Sequence, residues 1–251
     1  MTTRDTSSTV RIGLVLPDVM GTYGDDGNSL ILRQRLRWRG YEAEIVRITL
    51  DDDVPESCDV YTLGGGEDSA QVLASRHLTA SPGLQRAIGR GAPVLAVCAG
   101  LQVLGEWFVV SDGSRAPGLG LLDVTTSPQA HRAIGEVTST PHLEGLNQEL
   151  SGFENHMGAS ELGPDARPLG VVVAGIGNGV PAGKTESAAI GEGVLQGSVV
   201  CTYMHGPVLS RNPELADLLL CRALGVDSLP ELAVPAQAQL RSERIAASRR
   251  G

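Results

Sequence analysis

Along the first hundred residues, apolar positions come in short runs separated by longer mixed segments. "VRIGLVLP", "YEAEIVRI", "CDVYTL" and "PVLAV" are rich in Val, Ile and Leu, and read as strands. Between them "SLILRQRLRWRG", "AQVLASRHL" and "GLQRAIGRG" carry apolar residues at helical spacing. Asn28 reads as the N-cap of the first helix and Gly40 as its end. Strand and helix in alternation predict right-handed crossovers and an α/β fold with a parallel sheet. "PVLAV" has few polar atoms, as a strand covered on both faces should.

After Gly118 the pattern changes. "GLGLLDVTT", "AIGEVTST", "PLGVVVAGIGNG", "ESAAIGEG" and "GSVVCTYMHG" are short strand-like runs divided by Gly-rich turns. They predict antiparallel hairpins added to one side of the sheet, or its last strands. "GFENHMG" reads as a loop. "NPELADLLLCRALG" is a helix with Asn212 as N-cap, Pro213 in the first position and Gly225 at the end. From Pro230 an Ala- and Arg-rich stretch reads as a surface helix that frays. With no linker and no repeat, residues 1–251 form a single expected domain. Its core runs from about residue 10 to about residue 226, with a tail over 227–251.

The 251 residues are 41% hydrophobic, enough for one sizeable core. A formal net charge of −9 argues against a nucleic-acid binder. The polar start "MTTRDTSSTVR" lacks the apolar centre of a secretory signal, and no run approaches the roughly 18 apolar residues of a membrane span. The expectation is a cytoplasmic protein. Cys58, Cys98, Cys201 and Cys221 show no C-x-x-C spacing, so free thiols are expected and no metal site.

One cysteine stands apart. Cys98 ends the strand "PVLAV" and opens the helix "AGLQVLG", a turn that lifts a side chain clear of the sheet. The helix amides and dipole at that point favour a thiolate. Cys98 is therefore read as a nucleophile, against the alternative of a small buried hydrophobe. His205 follows another apolar strand, in "VVCTYMHGPV", and is its candidate general base and acid, or else a strand-end histidine. "LGGGED" places Gly64, Gly65 and Gly66 after the third strand. The amides of Gly65 and Ala99 are the candidate oxyanion hole, unless the glycines are simply a turn.

"VLAVCAGLQVLG" resembles the nucleophile elbow of the class I glutamine amidotransferases, through Cys98, Gly100, Gln102 and Gly105. "LGGGED" is similar to the family's oxyanion loop, and "YMHGPVL" to the histidine segment of its cobyric-acid-synthase-like branch. Within that branch "PDVMGTYGDDGNSLILRQRLRWRG", "GFENHMG" and "HGPVLSRNPELAD" resemble the GatD family of glutaminase subunits. The resemblance implies a flavodoxin-like, mostly parallel sheet flanked by helices. It implies a Cys98 thioester formed from L-glutamine, with His205 moving the proton and ammonia released. The ammonia would pass to a MurT-type, Mur-ligase-like partner in a heterodimer. That partner would use ATP and Mg to convert the D-glutamate α-carboxylate of lipid II to D-isoglutamine. No cofactor is expected in this chain, which has no G-x-x-x-x-G-K-[ST] loop. Gln102, Gly64 and Gly66 are candidate substrate contacts, and Arg132 is the candidate partner of the substrate carboxylate. Pro207 stands where many relatives have a Glu that orients the histidine, so a partner aspartate is expected to supply that role. The alternatives are an amidotransferase subunit for another carboxylate, such as a corrin, and a non-catalytic α/β binding module.

Overall fold

The computed structural model describes residues 8–185 and 189–249. The first half alternates strand and helix: β1 (Val10–Val15), α1 (Gly27–Arg37), β2 (Ala43–Ile48), β3 (Val60–Leu63), α2 (Asp68–Ala80), α3 (Gly83–Gly89), β4 (Val94–Val97) and α4 (Ala99–Leu104). A second group follows: β5 (Trp107–Val109), β6 (Arg115–Pro117), β7 (Val124–Pro141), β8 (Leu150–Leu162), β9 (Gly170–Ala174) and β10 (Gly191–Glu192). The chain then returns through β11 (Val194–Gln196) and β12 (Val199–Thr202) to α5 (Val208–Arg211), α6 (Pro213–Leu224) and α7 (Pro235–Ser248).

The main sheet has the order β11-β12-β4-β3-β1-β2. Every neighbouring pair is parallel except β11 with β12. All four residues of β3 and of β4 are buried, which accounts for their unbroken apolar runs. The chain reverses its direction of travel across the sheet between β1 and β3. In such sheets ligands bind at that switch point, beyond the carboxyl ends of the strands.

Of the later runs, "GSVVCTYMHG" supplies β12, a last strand of the main sheet, while the others form mainly a separate sheet instead of hairpins on the first. Its order is β10-β9-β7-β5-β6, with β8 paired to β7. Two of the expected short strands are parts of β7, which is 18 residues long. "GFENHMG" is no loop: it is the middle of β8. Of the expected strand over "ESAAIGEG", residues 186–188 lie outside the described residues and only Gly191–Glu192 is β10.

Two of the contacts between the sheets converge on the His205 segment. Phe153 of β8 and His205 exchange both backbone hydrogen bonds, at 3.1 and 2.8 Å. The fully buried Glu192 of β10 accepts from Thr202 Oγ1 at 2.5 Å and from the Tyr203 N–H at 2.9 Å, just ahead of His205.

The helix ends also differ from expectation. Asp26, not Asn28, stands at the N-cap of α1, and it makes no capping hydrogen bond. Asn28 lies within the helix, where its Oδ1 accepts from the Leu209 N–H at 3.0 Å. The tail forms the expected surface helix over Pro235–Ser248. Buried Arg241 pins α7 by donating to the Arg211 carbonyl at 3.0 Å, to Asn212 Oδ1 at 3.1 Å and to the Glu149 carbonyl.

Candidate active site

Four loops leave the carboxyl ends of β1, β3, β4 and β12, which lie side by side in the sheet. The loop after β4 is the sharpest. Cys98 has φ 53° and ψ −110°, in a region that L residues rarely adopt. Its backbone N–H is held by the Thr202 carbonyl at 2.8 Å. A side chain at Gly100 would come within 2.9 Å of the Leu63 carbonyl and 3.0 Å of the Gly64 carbonyl, so α4 can start this close only with glycine. Strain of this kind is stored where a side chain must be presented.

The loop after β12 brings His205 to the same place. The ring is 1% exposed, and its Nδ1–H donates to Asp25 Oδ1 and Oδ2 at 3.1 and 3.0 Å. Asp25 comes from the loop after β1. Sequence reasoning missed it and assigned this role to a partner subunit; the structure fills the position from within the chain. Its signal was hidden, since "GDDGN" reads as turn chemistry. The strand order that sets the β1 loop against the β3 loop is what exposes it. Pro207, where the Glu was expected, packs against Gly27 instead.

Three groups converge on Gly65. A Cβ built there would lie 3.1 Å from His205 Cε1, 3.3 Å from Asp25 Oδ2 and 3.4 Å from Cys98 Cβ. Burial works against a charged His205, but the Asp25 carboxylate and the adjacent Cys98 sulfur outweigh it, and the ring's pKa is raised to about 10. Its Nε2 makes no hydrogen bond among the described residues. The thiol is close enough to perturb the ring without a hydrogen bond to it, and catalytic pairs often align fully only around the reacting groups. Burial raises the pKa of Cys58, of Cys201 and of Cys221, which favours their thiol forms.

The expected oxyanion pair needs correction. The Gly65 N–H donates to Asp25 Oδ2 at 2.9 Å, and its carbonyl accepts from the Thr22 N–H at 3.1 Å. The Gly65 N–H is therefore spent on the acid and is not available to an oxyanion. The Gly66 N–H has no partner among the described residues, and Ala99 is the first residue of α4, whose N–H no preceding turn can satisfy. These two amides are the ones open to an oxyanion. Gly64 has no room for a side chain, since one would overlap the Met20 carbonyl.

Cys98 and His205 open into a cavity of about 710 Å³. Gly65, Gly66, Cys98, Gln102, Arg132 and His205 all line it. Gln102 is buried, and its Nε2 donates to Tyr203 Oη at 3.1 Å. Gly158 lies so near that any side chain there would overlap the Gln102 amide. Arg132 stands on β7, and its Nε donates to Asn155 Oδ1 at 2.7 Å. Asn155 and His156, both from β8, also line the cavity and were not anticipated. Among the described residues no cluster of His, Cys, Asp and Glu fits a metal ion, and no helix is long and apolar enough to cross a membrane.

A family model for the CobB/CobQ-like glutamine amidotransferase domain matches residues 11–213. The chain belongs to the CobB/CobQ-like glutamine amidotransferases. It is 36% identical to the GatD subunit of the glutamine-hydrolysing lipid II isoglutaminyl synthase of Streptococcus pneumoniae, over 91% of this chain and 86% of that one. Identity to the same subunit of Staphylococcus aureus is 34%, over 86% and 84%. A cobyric acid synthase of Desulforamulus reducens is 35% identical, but over 47% of this chain and 24% of its own length. Among solved structures, a glutamine amidotransferase superposes with a TM-score of 0.54 at 20% identity, covering 86% of this chain and 99% of the other. The glutaminase domain of Trypanosoma brucei CTPS gives 0.53 at 13% identity, covering 90% and 98%. These structures share the α/β fold of this amidotransferase. Its Cys98, His205 and Asp25 meet at the carboxyl edge of the main sheet.

Proposed function

We propose that this chain is the glutaminase subunit of an enzyme that amidates lipid II. Cys98 Sγ attacks the side-chain amide carbon of L-glutamine. The oxyanion of the tetrahedral intermediate is held by the amides of Gly66 and Ala99. His205 removes the thiol proton and then delivers it to the leaving nitrogen, so that ammonia and a γ-glutamyl thioester form. Water activated by His205 hydrolyses the thioester to glutamate and frees the thiol. Asp25 fixes the ring so that Nε2 faces this chemistry and stabilises the imidazolium while it exists. Arg132 binds the α-carboxylate with its guanidinium fork, and Gln102 borders the bound amide.

The ammonia passes to a MurT-type, ligase-like partner that brings ATP and Mg. There the activated D-glutamate α-carboxylate of lipid II becomes D-isoglutamine. The likeness to two GatD subunits over most of the chain supports this acceptor. The single observation that carries the hydrolytic half is the Asp25–His205 pair beside Cys98 at a cavity.

The test is ammonia release from L-glutamine by the purified chain, with Cys98→Ser as control, alone and with the co-expressed partner. With Asp25 supplied in cis, the free chain is expected to turn over and the serine variant to be silent. The complex, given ATP and lipid II, is expected to add one amide to the stem peptide. No ammonia from chain or complex would overturn the reading.

A further inference from the structure

Tyr23 sits in the β1–α1 loop with φ 61°, one of three non-glycine residues described with a positive φ; the others are Leu16 and Cys98. It is 45% exposed, so burial does not hold it there. What holds it is polar and local. Its neighbour Thr22 donates its N–H to the Gly65 carbonyl at 3.1 Å, and Asp25, two residues on, is bonded to Gly65 and His205. The Tyr23 ring lies over the His205 ring, with centroids 4.8 Å apart and planes at 57°. Its hydroxyl accepts from Asn155 Nδ2 at 2.8 Å, and Asn155 Oδ1 in turn accepts from Arg132 Nε at 2.7 Å.

Tyr23, Asn155 and Arg132 thus form one hydrogen-bonded chain across the mouth of the cavity, all three on its wall. It runs from the loop that carries the catalytic acid to the far strand β7. We infer that Tyr23 and Asn155 are positioning residues that aim Arg132 at the substrate's α-carboxylate and tie that aim to the catalytic loop. Asn155 Oδ1 accepts the Nε–H hydrogen bond and fixes the guanidinium plane. The two Nη groups of Arg132 have no partner among the described residues and remain free for a bidentate carboxylate. Tyr23 anchors Asn155 through its hydroxyl, while its ring covers His205 and limits water there. Specificity for an α-amino acid amide and orientation of the base are then properties of one loop.

This rests on the glutaminase reading above, and the experiment separates the two. Steady-state ammonia release is measured for the full chain with Tyr23→Phe, Asn155→Ala, the double variant and Tyr23→Ala, each with its melting temperature. Loss of one hydrogen bond that orients a charged group weakens binding by roughly tenfold. Tyr23→Phe and Asn155→Ala should each raise the KM for L-glutamine by about that factor, with kcat within about twofold. The double variant should be no worse than Asn155→Ala, because both break one chain. Tyr23→Ala, which also uncovers His205, should lower kcat in addition. A purely structural role would lower the melting temperature and leave KM unmoved. Tyr23→Phe at the wild-type KM overturns this inference alone, as does additivity in the double variant. A wild-type chain or complex that releases no ammonia overturns the glutaminase reading and this inference with it.

Discussion

Asp25 Oδ2 lies 3.0 Å from His205 Nδ1, although the two residues are 180 positions apart in the chain. Both are buried, so the pair is shielded from water and salt. In the proposed mechanism the orienting acid belongs to the same chain as the nucleophile. Asp25→Asn keeps the shape but lets the ring adopt the wrong tautomer, which typically costs roughly 10³- to 10⁴-fold in kcat. The expected result is a folded variant with that loss, measured by ammonia release. Adding the partner subunit should not restore it.

Charge on His205 also enters stability. Its folded pKa is raised from 6.5 to about 10, so the folded state holds the proton more tightly than the unfolded chain. The resulting stabilisation is complete below about pH 6.5 and is lost as pH rises through about 10. The melting temperature of wild type should therefore fall relative to His205→Gln across that window. A constant difference from pH 6 to 10 would contradict the pairing.

Glu192 acts in a lower window. Burial raises its pKa from 4.5 to about 7, against the opposing bonds from Thr202 and Tyr203. The folded state again keeps a proton that the unfolded chain releases, so stability declines as pH climbs from about 4.5 through about 7. Glu192→Gln imitates the protonated acid and should remove that decline, as read from melting curves of the two proteins between pH 4.5 and 8.

Gly65 offers a test of geometry without loss of fold. A methyl group there meets His205, Asp25 and Cys98 at 3.1 to 3.4 Å, a contact that is tight but tolerable. Gly65→Ala should fold normally and lose about 10²-fold in kcat, because small displacements of aligned groups are costly. The matching change Gly64→Ala drives a methyl into the Met20 carbonyl and should show first as a lower melting temperature.

Much of this was legible in the sequence, and what was not has physical causes. β1, β3 and β4 announce themselves as largely apolar runs and β2 as an alternating one, each closed by a loop, and the ends of α6 because Pro213 and Gly225 punctuate it. Cys98 was visible because a buried strand and small residues flank it. β7 and β8 were broken into pieces or read as loop, since Pro128, Gly135, Gly152 and Gly158 interrupt them and much of β7 is exposed. Their length comes from pairing with each other, which no local pattern encodes. Asp25 was invisible for a related reason. It earns its role from the strand beside it, and turn chemistry alone explains its presence. Gly65 misled in the opposite sense, since a flexible loop glycine looks like an oxyanion donor until its N–H is seen to hold Asp25.

The paired hydrogen bonds between Phe153 and His205 limit how such an enzyme can be re-engineered. The β7–β8 ribbon carries Arg132, Asn155 and His156, and it looks like a cassette that could be exchanged to accept a different amide. Yet its backbone is stitched to His205 itself, the proposed base. A graft that shifts β8 by one residue would turn Asn155 to the opposite face and drag His205 out of register with Cys98. Chimeras between relatives should therefore work only when ribbon and histidine segment are transplanted together.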